Sequence, residues 1–184
     1  MTHTRKINEI FYSLQGEGYH TGTPAVFVRF SGCNLHCDFC DTRHEEGTPM
    51  TDDDILARVE QYPARMVVLT GGEPALWIDD ALVERLHRAG RYVCIETNGT
   101  RPLPRGIDWV TCSPKQGAPL AIGRMDELKV VYQGQDLRPY EGLPARHFFL
   151  QPCSCQNTQE TVRCVMQHPR WRLSLQTHKL IDIR

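Results

Sequence analysis

Three thiols within eight residues, Cys33, Cys37 and Cys40 in a C-x3-C-x2-C run, constrain this chain more than anything else in it. They must share one tight loop. A structural zinc site normally takes four protein ligands. Three thiolates can instead hold a cubane iron–sulfur cluster by three of its four irons. Such clusters usually take four cysteines, so a missing fourth leaves one iron open to a substrate or cofactor. A zinc knuckle completed by His36, Asp41 or His44 is the competing reading of the same residues.

With 184 residues the chain can bury a real core as a single domain spanning 1–184. Its net charge of −1, without a basic block or stripe, gives nucleic-acid binding no support. The opening Met1-Thr2-His3-Thr4-Arg5-Lys6 lacks the apolar core of a signal peptide, and no apolar run approaches membrane length. Eight cysteines in a chain of this length, with no export signal, point to a reducing cytoplasmic location rather than a disulfide scaffold.

Ile7–Ser13 and Ala25–Phe30 read as strands, the second leading into the cysteine loop. Thr51–Tyr62 reads as a helix with Thr51 as N-cap and Asp54 three residues on, and Trp77–Ala89 as a helix closed by Gly90. Further strands are expected at Met66–Thr70, Tyr92–Glu96, Ile107–Cys112, Glu127–Tyr132, His147–Gln151 and Arg172–Gln176, with a helix at Thr158–His168. Short apolar strands separated by helices predict a parallel sheet covered on its faces. Thr97–Gly106, broken by Pro102 and Pro104, is too short for a crossover helix, and Ser113–Asp126 lacks helical periodicity. The expected fold is therefore α/β, a partial, splayed barrel with some helices replaced by loops. Its functional loops fall at the C-terminal ends of the strands.

Those ends carry polar motifs: Thr70-Gly71-Gly72-Glu73-Pro74, Glu96-Thr97-Asn98-Gly99, Ser113-Pro114-Lys115 and Gln151-Pro152-Cys153-Ser154. Each alone reads first as turn chemistry; their recurrence at one end of one sheet is the argument for a site. The cysteine spacing resembles that of the radical S-adenosylmethionine (SAM) superfamily. Adding Leu14-Gln15-Gly16-Glu17-Gly18, Arg29-Phe30-Ser31-Gly32-Cys33-Asn34-Leu35, Cys37-Asp38-Phe39-Cys40-Asp41-Thr42 and Gln176-Thr177-His178-Lys179 makes the chain similar, over almost its whole length, to the 7-carboxy-7-deazaguanine synthase family.

The resemblance implies an abbreviated radical-SAM (β/α)6-type barrel. It also implies a carbon–nitrogen lyase that contracts the ring of 6-carboxy-5,6,7,8-tetrahydropterin to 7-carboxy-7-deazaguanine with loss of ammonia, a step of queuosine and 7-deazapurine biosynthesis. It assigns Cys33, Cys37 and Cys40 to a [4Fe–4S] cluster and Thr42 to Mg²⁺. SAM contacts fall on Phe39, Gly72, Glu73, Ser113, Pro114 and Lys115, and on Gln151, Pro152, Cys153 and Ser154. Glu73 is expected to accept from the SAM ammonium. Substrate contacts fall on Leu14, Gln15, Gly16, Arg29, Thr70 and His178, with the carboxylate of Arg184 reaching the site. Arg29 is expected to be buried, its guanidinium partnered by the substrate carboxylate. A flavodoxin- or ferredoxin-type electron donor and a homodimer are further implications.

A glycyl-radical activase, or a zinc or electron-transfer module, leaves the Leu14–Gly18 loop and the neighbouring strand-end motifs unexplained. Cys94 and Cys112 read as core thiols. Cys153, Cys155 and Cys164 could hold a second metal. His3, His20, His87, His147 and His168 read as surface or packing histidines.

Overall fold

Successive side chains along each strand turn to opposite faces of the sheet, and the central strands are buried on both. The fold is that of a computed structural model describing residues 4–42 and 44–184; His3 lies outside the described residues. The strands are β1 (Thr4–Leu14), β2 (Pro24–Phe30), β3 (Thr48–Thr51), β4 (Met66–Gly71), β5 (Tyr92–Thr97), β6 (Trp109–Cys112), β7 (Met125–Tyr132), β8 (Ala145–Pro152) and β9 (Arg172–Leu173). They form one sheet in the order β3-β1-β2-β4-β5-β6-β7-β8-β9. From β2 across to β9 every pairing is parallel, while β1 runs antiparallel to both β2 and β3. With β3 and β9 at opposite edges, the sheet is an open, partial barrel.

Val26, Val28 and Phe30 of β2, Val67 and Leu69 of β4, and Val93 and Ile95 of β5 turn to the main core. That face is covered by α1 (Asp52–Val59), α2 (Asp80–Arg88) and α4 (Thr158–Gln167). Helix α2 contributes Leu82, Val83 and Leu86, each fully buried and each worth about 1.5–3 kcal/mol of transfer free energy. The other face carries a smaller cluster, with Phe11, Phe27, Met66, Val68, Cys94 and Trp109.

The expected helices form but are shorter. Thr51 caps α1 in a complete capping box with Asp54, and the helix stops at Val59. The second helix starts at Asp80, capped by Asp79, because Glu73 and Pro74 first start a separate 3-10 turn, Pro74–Leu76. Gly90 closes α2 with φ +73, its N–H on the His87 carbonyl at 2.8 Å. Two crossovers lack a helix, β5 to β6 and β6 to β7. Three elements were not legible in the sequence: β3, α3 (Arg138–Glu141) and α5 (Thr177–Leu180). The last strand pairs over only Arg172–Leu173, not to Gln176.

Arg5, 2% exposed, ties the antiparallel start of the sheet to the helical layer. Its Nε donates to Asp52 at 2.6 Å and its Nη2 to Asp79 at 2.9 Å, with a further bond to the Trp77 carbonyl. Trp77 in turn donates its indole N–H to the Ser31 carbonyl at 2.7 Å, just before the cysteine loop.

Candidate active site

The alternation that builds the core places a polar row on the opposite face. Arg29 pairs in register with Thr70, and Glu96 with Thr111. With Lys129 and Gln151 they line a cleft of about 490 Å³ at the C-terminal ends of the parallel strands.

The cysteine loop forms one wall. The Gly32 N–H bonds the His44 carbonyl at 2.7 Å and closes the loop, and the Glu73 N–H bonds the Gly32 carbonyl at 2.9 Å. Gly71 (φ +127) and Gly72 let this crossing happen, since a Cβ on either would collide with the backbone of Phe30 or Gly32. All three thiols are free and face the cleft. The Cys33 Sγ accepts from the Leu35 N–H at 3.5 Å and from Asn98 Nδ2 at 3.9 Å. Burial pushes the Cys37 thiol up, and the Lys115 ammonium pulls it back.

Among the described residues, no three His, Cys, Asp or Glu side chains gather closely enough to hold a single metal ion. Cys33, Cys37 and Cys40 nevertheless line the cleft together as free thiols, a donor set that fits a cluster meeting each thiol through a different iron. The first of these findings gives no support to a second metal on Cys153, Cys155 and Cys164. Cys164 is buried against His168, and the Cys155 thiol lies 3.8 Å from Gln176 Oε1.

The second wall holds most of the residues expected around SAM. Lys115 Nζ bonds the carbonyl and the hydroxyl of Ser113, both at 2.8 Å, and lies 5.9 Å from the Phe39 ring. Burial lowers its pKa, with the thiols of Cys37, Cys112 and Cys33 acting the other way. Gln151, Pro152 and Ser154 line the cleft, Ser154 in the left-handed region at φ 46. Pro114 is buried behind Ser113 and outside the lining. Cys153 is likewise set back, its N–H on Asn157 Oδ1 at 2.8 Å.

Glu73 departs from expectation. Its carboxylate is fully buried and outside the cleft lining. It accepts from the Ala75 N–H at 2.9 Å, the Thr97 hydroxyl at 2.8 Å and the Asn98 N–H at 2.7 Å. Burial still pushes its pKa up. The side chain thus ties two strand ends together, and Gly71 and Gly72 are what this loop presents to the cleft.

The third wall gathers the residues expected around the substrate. Gln15 Nε2 donates to Glu96 Oε1 at 3.0 Å, and Thr70 Oγ1 to Glu96 Oε2 at 2.8 Å. The Gly16 carbonyl accepts from the N–H and hydroxyl of Thr177, at 2.9 and 3.0 Å, and a Cβ on Gly16 would strike the His178 ring. Burial lowers the pKa of His178. Arg29 is half-buried rather than buried, and it already has a partner. Its Nε donates to Glu9 Oε1 at 2.9 Å, because β1 sets Glu9 directly opposite. Arg184 also reaches the cleft, through its guanidinium on Glu9 Oε2 at 2.6 Å; its main-chain oxygen accepts from Ser13 Oγ. Leu14 and Thr42 line the cleft as expected.

Sequence reading named Glu96, Glu17 and Gln176 only within motifs and Asp41 only as a possible zinc ligand, and it gave Lys129 no role. Lys129 is 6% exposed and pairs with Glu17, with Glu96 at 3.8 Å. Burial alone would lower its pKa, but the carboxylates of Glu17, Glu96 and Glu127 raise it, so the ammonium stays charged. Gln176 Nε2 bridges Glu17 Oε1 (2.8 Å) and Asp41 Oδ2 (3.1 Å). The available signal was a charged residue at the in-facing period of an apolar strand. Cys94 and Cys112 are core thiols; burial pushes both up, Cys112 to about 12. His20 and His147 pack around Trp109, His87 pairs with Asp108 and His168 bonds the Cys164 carbonyl, all outside the cleft.

An open parallel sheet with a three-thiol loop at its C-terminal rim defines a radical SAM protein, and residues 27–125 match the Radical SAM superfamily. The 7-carboxy-7-deazaguanine synthase of Bacteroides thetaiotaomicron is 79% identical, covering 98% of this chain and 99% of that one. The Bordetella pertussis protein of the same name is 44% identical over 96% of this chain and 98% of its own. The crystal structure of QueE from Escherichia coli superposes with a TM-score of 0.80 at 30% identity, covering 94% of this chain and 93% of that one. The chain belongs to the radical SAM superfamily and, within it, to the 7-carboxy-7-deazaguanine synthase family.

Proposed function

We propose that the chain contracts 6-carboxy-5,6,7,8-tetrahydropterin to 7-carboxy-7-deazaguanine with loss of ammonia. The observation that carries this reading is the polar row Arg29, Thr70, Glu96 and Lys129 facing the same cleft as Cys33, Cys37 and Cys40. A radical-generating wall and a wall built for a flat polar heterocycle thus share one space.

When bound through the three cysteines, the cluster with SAM supplies a radical able to take hydrogen from a carbon of the substrate. The residues of this chain bind and orient. Arg29 offers the substrate carboxylate a charged fork. Leu14, Gln15 and Gly16, with Glu96 beside them, would read the edge of the pterin, His178 lying against Gly16. Gly72, Ser113, Lys115, Gln151 and Ser154, with Phe39 beside them, would hold SAM, and Lys115 would offer a positive charge to its carboxylate. Thr42, which lines the cleft, would offer one hard oxygen to Mg²⁺, whose charge would help to orient the substrate. Holding the reacting carbon close to the radical source is the protein's main catalytic contribution.

This reading also takes a flavodoxin- or ferredoxin-type donor, a homodimer and a cytoplasmic setting. No helix among the described residues is long and apolar enough to cross a membrane. The test is Arg29→Ala. Turnover of the pterin should collapse while SAM binding to the cluster-loaded protein persists. Normal turnover would remove the carboxylate assignment.

A further inference from the structure

Glu9 stands between two guanidiniums. Its Oε1 accepts from Arg29 Nε at 2.9 Å and its Oε2 from Arg184 Nη2 at 2.6 Å. Both guanidiniums lie beside one ring, Phe11, with the Arg29 Cζ 5.7 Å and the Arg184 Cζ 5.3 Å from its centroid. Phe11 is itself stacked on Phe27 at 4.9 Å, so the ring is a firm platform. All five side chains line the cleft.

A break in strand register makes this arrangement. Between Ile7 and Glu9 the pairing of β1 with β2 shifts by one residue. Ile7 and Ile10 both turn to the helix-covered core, whereas Glu9 and Phe11 turn to the cleft. Regular alternation would have kept Glu9 on the face of Ile7. The irregularity re-aims a carboxylate into the site.

Glu9 shares its one carboxylate between the two guanidiniums of this wall, an oxygen to each. Glu9 engages Arg29 through Nε alone, so the two terminal nitrogens of Arg29 remain for a second carboxylate. We infer that Glu9 is a positioning residue that orients Arg29, and with Arg184 sets the wall to accept one carboxylate. The inference rests on the substrate reading above and deepens it. Glu9 does not touch the substrate; it acts through Arg29. With Glu9 in place, the fork is held in one orientation over Phe11 and the entropy of ordering it is met before substrate arrives.

The test is anaerobic equilibrium binding to the cluster-loaded protein with SAM, comparing 6-carboxytetrahydropterin with tetrahydropterin lacking the carboxylate. Glu9→Ala should weaken the carboxylated ligand about tenfold, the scale of a charge-assisted hydrogen bond, and leave the other within about twofold. Glu9→Gln, isosteric and safe for the fold, should show the same selective loss. In an Arg29→Ala background, Glu9→Ala should add nothing, since the effect runs through Arg29. Equal affinity for both ligands across wild type and variants would overturn the inference. So would a loss shared by both ligands, or one that persists without Arg29. A wild-type protein that binds neither pterin would overturn the substrate reading itself, and this inference with it.

Discussion

Lys179 Nζ lies 2.6 Å from Asp41 Oδ2, which joins the last helix of the chain to the residue that follows the third cluster cysteine. Gln176 and Thr177 extend the link to Glu17 and Gly16. Helix α5 thereby bridges the Leu14–Gly18 loop and the cysteine loop, and under the proposed function this link sets the width of the cleft between them. Lys179→Met removes a partly exposed ion pair, worth at most about 1 kcal/mol. The expected result is a KM for the pterin raised by no more than about fivefold, with iron content unchanged. An unaltered KM would show that the link does not set the cleft.

The same pair makes a pH prediction. Burial alone would raise the Asp41 carboxyl, but hydrogen bonds from Lys179 and Gln176 hold it below its ordinary value. A carboxylate with a depressed folded pKa contributes stability that is present above the unfolded pKa, about 3.9, and lost as pH falls through the lower folded value. The link therefore outlasts an ordinary aspartate as pH falls and is lost through the lower folded value. An NMR titration of Asp41 should give a midpoint below the ordinary value, moving back towards it in Lys179→Met. An ordinary midpoint in the wild type would contradict the geometry.

Gly72→Ala tests how the cysteine loop is seated. The added Cβ meets the Gly32 carbonyl and lies against the Cys33 nitrogen, both backbone atoms that cannot swing aside. Forced overpacking of this kind costs about 1–3 kcal/mol. Thermal unfolding should fall accordingly, and reconstituted iron and sulfide should drop below the wild-type level. A fully loaded Gly72→Ala protein would mean that the crossing tolerates what its geometry forbids.

Glu73→Gln separates a structural from a SAM-binding role. The amide turns one acceptor into a donor facing the N–H and O–H groups of Ala75, Thr97 and Asn98. Leaving a buried group unsatisfied costs about 1–3 kcal/mol. The expected loss of thermal stability appears in the absence of SAM. A variant as stable as wild type that fails only to bind SAM would restore the ammonium role to the carboxylate.

Sequence alone carried the cluster loop, because three closely spaced thiols admit few uses. It also carried the parallel strands, whose apolar runs are near-continuous, and the Thr51 capping box, which is local. What escaped depended on contacts across the chain. Strand β3 is short, polar and recruited by pairing with Thr4–Ile7, which no local pattern announces. Lys129 sits inside an apolar strand, and its three carboxylate neighbours come from β5, β7 itself and the Leu14–Gly18 loop. The role read for Glu73 assumed a free carboxylate. The tertiary fold instead buries it and commits it to three donors, Ala75, Thr97 and Asn98. Arg29 was expected to lack a protein partner because Glu9 faces it only through an irregular register.

The most direct measurement is anaerobic turnover by the reconstituted protein with SAM, dithionite, Mg²⁺ and 6-carboxytetrahydropterin, the product followed by mass. The account predicts 7-carboxy-7-deazaguanine, abolished in Cys37→Ala. A brown, iron-loaded protein that cleaves SAM and leaves the pterin unchanged would contradict it.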